Sequence, residues 1–518
     1  MGLFNVSFST ATLLLVAGSC AVLYGVGVVI YRLFFHPLRN YPGPKLAAAT
    51  RWYEFYYDLV KGYGGQFAWE IDRMHQVYGP IVRINPEELH VQDPAWIDVL
   101  YSGNPTHRDK YPPFAAMTGV PVSSFGTIEH NIHRKRKLAT SPFFSKRSVS
   151  DAEPLIRAQA EKLCHSLHAS YGSKEIVQLH LRYLAFSTDT VSEFAFAKSQ
   201  GLQDAVSEEN GMGKIEDWAE TLRMVGAVFP LLRQFPWMIK VALKVPVWVF
   251  RLLVPVLSRF LLLHMEMKKR AAIFLQNEHI NPTPISEKRS ERPPTVFHAI
   301  FQSSLPSEEK SLTRLSQEGL VMFAAGSEST SRSLMLATYY LLMNPGAMSR
   351  LREELETAMP DPSVVPAVKV LEGLPFLHAV IKETFRTAAI FTTRFPLTTP
   401  ETLRYNDWII PPGTPVSMTT RAVMHDPSIF PNPDTFNPDR WLDGNSHTKD
   451  LDKYYVPFSR GTRICPGMDL AYAEIHMALA MIIRRFDFEL YDTNYDRDIK
   501  VVRDCFLGEP RPGTVGVK

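Results

Sequence analysis

Cysteine is scarce in this chain. There are four in 518 residues, Cys20, Cys164, Cys465 and Cys505, and none forms a Cys-x-x-Cys pair with another. That spacing gives no disulfide framework and no four-cysteine zinc site, and it suits a reducing compartment. Excess charge of one sign is missing too. The 56 basic residues nearly balance the 53 acidic ones, the formal net charge is +3, and nothing calls for nucleic acid as a partner. There is no Gly/Ser-rich linker, internal repeat or low-complexity tract. Length alone suggests two or three domains. With 45% hydrophobic residues to fill a core and no linker to divide it, one large domain over residues 36–518 is the simpler reading.

Charge is absent altogether from Met1 to Tyr31. The run from Ala11 to Tyr31 is nearly all apolar and, at about 1.5 Å per residue, reaches across the roughly 30 Å hydrocarbon core of a bilayer. A cleaved signal peptide would have a basic start and a shorter apolar core. Residues 1–35 therefore read as a single-pass membrane anchor. Arg32, Arg39, Lys45 and Arg51 follow it, so the positive-inside rule puts the rest of the chain in the cytosol. Asn5-Val6-Ser7 fits a glycosylation sequon but lies close to the membrane. Between His36 and Pro44 three prolines make a stiff, extended connector.

Gly79 to Gln92 alternates apolar residues around Asn85-Pro86 and reads as a β-hairpin. Tyr111 to Phe125 is rich in proline and aromatics and reads as a loop. His130 to Ser145 carries the basic run His133-Arg134-Lys135-Arg136-Lys137. Met224 to Lys268 is strongly apolar, yet Arg233, Lys240, Lys244, Arg251 and Arg259 interrupt it too often for a second span. Basic and aromatic residues on an apolar stretch suit an interfacial segment that dips into a membrane surface. Asn277 to Pro294 is polar and reads as an exposed loop.

Chemistry gathers near the carboxyl end. Phe458-Ser459-Arg460-Gly461-Thr462-Arg463-Ile464-Cys465-Pro466-Gly467 sets one cysteine in a glycine-punctuated loop before a helical run, Met468 to Phe486. Pro466 is acceptable at a first helical position. Cys465 then stands at a helix mouth, where free N–H groups and the positive dipole end favour an anionic sulfur. Such a lone thiolate suits a redox metal, although lone cysteines are more commonly small core residues. Upstream, Leu312 to Asn344 is one long helical pattern stopped by Pro345. At its centre lies Ala325-Gly326-Ser327-Glu328-Ser329-Thr330. A glycine in mid-helix costs about 1 kcal/mol relative to alanine, and close approach of a flat ligand would explain it. Glu383 and Arg386 form a charge pair three apart on a helix.

The cysteine loop resembles the Phe-x-x-Gly-x-Arg-x-Cys-x-Gly loop of the cytochrome P450 family and agrees at every fixed position. The resemblance runs from the proline hinge to the C-terminal tail and is strongest to fungal secondary-metabolism members of the trichodiene oxygenase type. It implies a mainly α fold with small β-sheets, the haem–thiolate fold, behind one transmembrane helix. It implies haem b (iron protoporphyrin IX), with Cys465 as iron ligand and Phe458 opening the loop beneath it. His133 and Lys137 stand where the family has a Trp-x-x-x-Arg pair on a propionate. Arg394 and Arg463 would meet propionates too, and Arg440 would join Glu383 and Arg386 in a structural triad. Glu328, Ser329 (where threonine is usual) and Thr330 match the family's proton relay. Arg134, Lys135 and Arg136 would attract an acidic flavoprotein. The implied activity is hydroxylation or epoxidation of an apolar secondary metabolite, a terpenoid first and a polyketide or alkaloid scaffold next. O2 and electrons from NADPH, through NADPH–cytochrome P450 reductase, would drive it at the endoplasmic reticulum membrane. The rival from another class is a non-enzymatic haem-binding membrane protein, which would need no proton relay.

Overall fold

The computed structural model describes residues 9–173, 176–206, 211–280, 295–442, 448–514 and 516–518. Ten helices position the site: α1 (Thr10–Ile30), α2 (His130–Thr140), α3 (Leu179–Phe196), α4 (Gly211–Gln234), α5 (Trp237–Ala242), α6 (Val247–Leu253), α7 (Pro255–Ile280), α8 (Leu312–Leu342), α9 (Pro375–Ala388) and α10 (Met468–Arg485). Those with apolar residues on every face, α3, α8 and α10, form the centre. Phe186 and Tyr183 of α3, Leu315, Leu334 and Leu341 of α8, and Ile475, Leu479 and Ile482 of α10 share one buried cluster. Ser311 caps α8 by accepting the Arg314 N–H, and α8 ends short of Pro345, which opens the next helix.

Buried α3 also carries polar residues, and two of them tie elements together. The Ser187 hydroxyl donates to the Ser327 carbonyl of α8 at 2.6 Å. The Asp189 carboxylate accepts the backbone N–H groups of Leu202 and Gln203. Where the two helices cross, a Cβ on Gly326 would lie 2.5 Å from Val191 Cγ2 and 2.9 Å from its Cβ. Close approach of α3, rather than of a flat ligand, accounts for the mid-helix glycine.

The strands are β1 (Ile81–Arg83), β2 (Leu89–Val91), β3 (Asp109–Lys110), β4 (Leu397–Thr398), β5 (Leu403–Tyr405), β6 (Trp408–Ile410), β7 (Val416–Ser417), β8 (Arg503–Cys505) and β9 (Leu507–Glu509). The first two form the expected antiparallel hairpin. They head a sheet of order β1-β2-β7-β4-β3, while β5-β6 and β8-β9 are separate ribbons. Phe506 turns the last ribbon with φ +76°, a conformation costly for a side chain other than glycine. Tyr111 to Phe125 is not all loop: Pro112–Met117 is a short helix with proline in its first turn.

No residue of α1 is buried. With the turn that follows, to Phe35, it is the one helix among the described residues long and apolar enough to cross a membrane. The connector after it is clasped by buried Arg83, whose guanidinium donates to the carbonyls of Arg32, Leu38 and Pro86. Helices α5 and α6 bury nothing. Trp237 is 61% exposed, Trp248 64%, and Leu252 and Leu253 74% each. Of the polar stretch 277–294, residues up to Ile280 are helical in α7; the remainder, like the sequon at Asn5, lies outside the described residues.

The crossing of α3 and α8 gives a test. Gly326→Ala should lose about 1–3 kcal/mol of stability by overpacking, despite its better helix propensity. Adding Val191→Ala should recover most of that loss. Thermal unfolding of the three variants in detergent measures it, and an unperturbed single variant would contradict the packing account.

Candidate active site

The Cys465 N–H donates to the Phe458 carbonyl at 3.0 Å and closes the cysteine loop. Gly461 has φ +68°, and a Cβ there would come within 2.3 Å of the Tyr101 and Ser102 carbonyl oxygens, so only glycine fits. The helix begins later than the sequence suggests. Gly467 is its N-cap and Met468 its first residue, which leaves Pro466 outside. The surrounding protein shields the Cys465 sulfur from bulk water and pushes the thiol up, although the side chain borders open space. The Gly467 N–H and the Lys137 ammonium pull it back toward the thiolate. Lys137 reaches the loop from α2, donating to the Thr462 carbonyl at 3.0 Å and the Ile464 carbonyl at 3.1 Å. The Phe458 ring lies against Phe385 and Tyr472, 5.1 and 5.5 Å between centroids.

Behind that ring a buried carboxylate holds the loop's supports. Glu383 accepts from the Arg386 Nε at 2.9 Å and Nη2 at 2.8 Å, and from the Arg440 Nε at 3.1 Å. It also takes the Trp441 indole N–H at 2.9 Å and the Asn437 N–H at 3.0 Å. Trp441 stacks edge-on to Tyr455, and the Tyr455 and Tyr472 hydroxyls meet at 2.9 Å. The chain of contacts thus runs from Glu383 back to Phe458.

A second corner beside the loop is cationic. Arg463 donates to the Thr127 carbonyl at 2.8 Å and the Ile128 carbonyl at 2.7 Å, while its Nε is buried without a partner. His133 is buried, and its Nδ1 likewise has no partner. Burial, with Arg463, Lys110 and Lys137 nearby, holds this imidazole down to about 2, so it is neutral. Two lysines, an arginine and a histidine thus converge in a dry corner. Like charges repel strongly there, and the two unpartnered nitrogens require an acceptor. The two carboxylates of a haem are the ligand this donor set fits.

Helix α8 opens near its middle. Ala325 is exposed although most of the helix is buried, and Cys465 is exposed as well. The Ser329 hydroxyl, one turn on, donates to the Ala325 carbonyl at 2.8 Å. Thr330 turns away and is 3% exposed, so the structure separates it from Ser329. Burial and the nearby Glu509 push the Glu328 carboxyl up to about 7, against Arg332 and Arg223. Arg332 compensates little because it is paired with Glu509 at 2.9 Å.

Two basic residues differ from expectation. Arg394 does not join the cationic corner. Its Nε meets Glu88 at 2.7 Å and its Nη2 meets Glu54 at 2.7 Å, all buried. The expectation that it serves a propionate is corrected, because two buried carboxylates already hold it. Arg136 is bound to Glu309 and Thr127, which leaves Arg134 and Lys135 as the exposed cations on α2. The Arg394 hub was not visible in the sequence. It also draws in Arg233, at the end of α4, which lies 3.5 Å from Glu54, 3.6 Å from Asp58 and 3.4 Å from Asp504. Its members are far apart in sequence, and each looks like a solvated charge. Around the strained turn, Phe506 meets Phe125, Phe229, Phe391 and Phe395 with centroids 5.4–5.9 Å apart.

An exposed cysteine in a glycine-turned loop, a cationic corner beside it and a central helix that opens at Ala325 fit a haem–thiolate class of site. The comparisons agree. The family model for cytochrome P450 matches residues 48–515. The chain is 38% identical to the cytochrome P450 monooxygenase MO6277 of Ascocoryne sarcoides, over 99% of both chains. It is 37% identical to the tryptophan 6-hydroxylase fscE of Fusarium equiseti, over 96% of this chain and 94% of that one. It is 35% identical to the conidiogenone synthase PchP450 of Penicillium rubens, over 95% and 96%. The chain belongs to the cytochrome P450 family. It is a monooxygenase with fungal secondary-metabolism relatives, and its family implies haem, O2, a redox partner and a small-molecule substrate.

The carboxylate hub makes a pH prediction. Burial, with Glu54 and Asp504 nearby, pushes Asp58 from the ordinary 3.8 up to about 7, although Arg233 opposes them. The unfolded chain therefore releases this proton first, and the group's contribution to stability falls as pH rises from about 4 to 7. Asp58→Asn should raise the melting temperature at pH 8 more than at pH 5. Equal shifts at both pH values would refute the assignment.

Proposed function

We propose that this protein hydroxylates or epoxidises an apolar terpenoid, with haem b bound at Cys465. The observation that carries the reading is the open Cys465 loop beside a buried cationic corner lacking an acceptor. When bound, the haem supplies O2 activation and oxygen insertion, driven by electrons from NADPH through a flavoprotein reductase. Cys465 is the iron ligand, its thiolate favoured by the Gly467 N–H. Lys137 braces the loop with two of its three N–H groups and adds charge beside the propionates. Arg463 and His133 would hold them, and Phe458 would help shield the sulfur.

Glu328 holds a proton near neutral pH and delivers it into the open space at Ala325. Ser329 relays it: its oxygen would accept the Glu328 proton while its own hydrogen, released from the Ala325 carbonyl, passes into the open space. Thr330, being buried, takes no part. Phe506 and the four phenylalanine rings around it favour a hydrocarbon skeleton with few polar groups over a basic alkaloid. Residues 1–35 anchor the catalytic domain, residues 36–518, to the endoplasmic reticulum membrane with the domain in the cytosol. The exposed Trp and Leu side chains of α5 and α6, with Lys240, Lys244 and Arg251 among them, provide a second contact with the bilayer.

Reduced protein exposed to carbon monoxide should show the red-shifted absorption of sulfur-ligated haem, and Cys465→His should lose it. Yeast microsomes carrying the protein should add oxygen to terpene substrates, seen as a mass gain. Oxidation of polyketide or alkaloid scaffolds alone would overturn the terpenoid assignment.

In the relay, Glu328→Gln should release at least about tenfold more hydrogen peroxide per product. Coupling in the parent enzyme should fall as pH rises through about 7, where Glu328 loses its proton, and that slope should vanish in the variant. Unchanged coupling would remove Glu328 from the mechanism.

A further inference from the structure

The cationic corner contains a residue with no counterpart in the motif pattern. Lys110 lies on β3, in register with Leu397 of β4, and is 6% exposed. Its backbone N–H donates to the Ile128 carbonyl at 2.9 Å. The same carbonyl accepts Arg463 Nη2 at 2.7 Å, so the two cationic residues hang from one oxygen. The Lys110 ammonium donates to the Phe125 carbonyl and stands 3.9 Å from the centre of the Phe125 ring. No carboxylate pairs with it among the described residues. The nearest acid in sequence, Asp109, accepts from the His130 N–H at 2.7 Å and meets the His107 Nε2 at 2.9 Å.

Burying an unpaired ammonium is unfavourable unless a ligand neutralises it. Lys110 also lies close enough to His133 to help keep that imidazole neutral. Meanwhile Arg394, the arginine the sequence pattern points to, is occupied by Glu54 and Glu88. We propose that Lys110 supplies the counter-charge that Arg394 does not. In this assignment the haem propionates are held by Lys110 and Arg463 with His133, and Lys137 works chiefly as the brace of the cysteine loop. The proposal rests on the preceding reading that haem binds at Cys465. It adds which cation of this chain holds the carboxylates. The signal is weak in sequence because His107-Arg108-Asp109-Lys110 looks like a solvated polar run, and a two-residue strand has no readable period.

The test follows haem retention in full-length holoprotein in detergent, as transfer of haem to excess apomyoglobin. Lys110→Met should lose haem about tenfold faster and Lys110→Arg within about twofold of the parent, as expected for one charge-assisted hydrogen bond. Lys135→Met, an exposed change on α2, should have no effect. Reloading with haemin dimethyl ester, whose carboxylates are blocked, separates charge from packing. The parent should lose the ester at least about tenfold faster than haemin, and Lys110→Met should narrow that ratio, because only the Arg463 and His133 contacts remain to be lost. The haem-free variant should melt at or above the haem-free parent, since a buried unpaired charge has gone. Retention of haemin at the parental rate in Lys110→Met would overturn the proposal. So would equally faster loss of haemin and ester, or a lower melting temperature of the haem-free variant. If the parent itself never showed sulfur-ligated haem, the underlying reading would fall, and the proposal with it.

Discussion

A charge removed from water has to be balanced inside the protein, and three buried assemblies meet this constraint in different ways. At Glu383 one carboxylate is surrounded by two arginines, an indole and a backbone amide. The result is self-contained and joins α9 to the segment before the cysteine loop. At Arg394 and Arg233 the carboxylates outnumber the two arginines, and Asp58 is left holding its proton near neutrality. Beside the cysteine loop the imbalance is reversed: Lys110, Lys137 and Arg463 gather around a neutral histidine. The first two assemblies are structural, because their partners come from the chain. The third is completed only by an anionic ligand, which is why it marks the site.

Packing and chemistry share the same helices. Helix α8 is buried along most of its length, yet it opens at Ala325. Gly326 and Ser327 on its other side serve the crossing with α3, one by lacking a side chain and the other through the Ser187 bond. A motif of six residues is thus divided by helical periodicity. Ala325 and Ser329 face the open space, while Gly326, Ser327 and Thr330 face neighbouring helices. Tight packing on one side fixes the position of Ala325 and Ser329 on the other.

The hub at Arg394 links regions with different roles. Glu54 and Asp58 follow the connector behind α1, Arg233 ends the helix that leads to the exposed apolar α5 and α6, and Asp504 precedes the phenylalanine-lined turn at Phe506. The exposed apolar helices α5 and α6 and the phenylalanine cluster at Phe506 are therefore joined through one dry set of ion pairs. Arg83 does similar work for the connector by satisfying carbonyls that the prolines leave without local partners.

By itself the sequence determined the class of the fold, the apolar first helix, the β1-β2 hairpin, the long helix over Leu312–Leu342 and the cysteine loop. These are local features, written in periodicity, proline placement and a ten-residue motif that needs Gly461 for steric reasons. The pairing of Glu383 with Arg440 was also legible, because a motif linked them. Only the tertiary structure decided which cations are free. Arg394 and Arg136 have the same chemistry as Arg463, yet carboxylates from distant segments hold the first two, and Lys110 is left buried beside the third. Burial and pairing depend on contacts between residues hundreds of positions apart, and no local pattern carries that information.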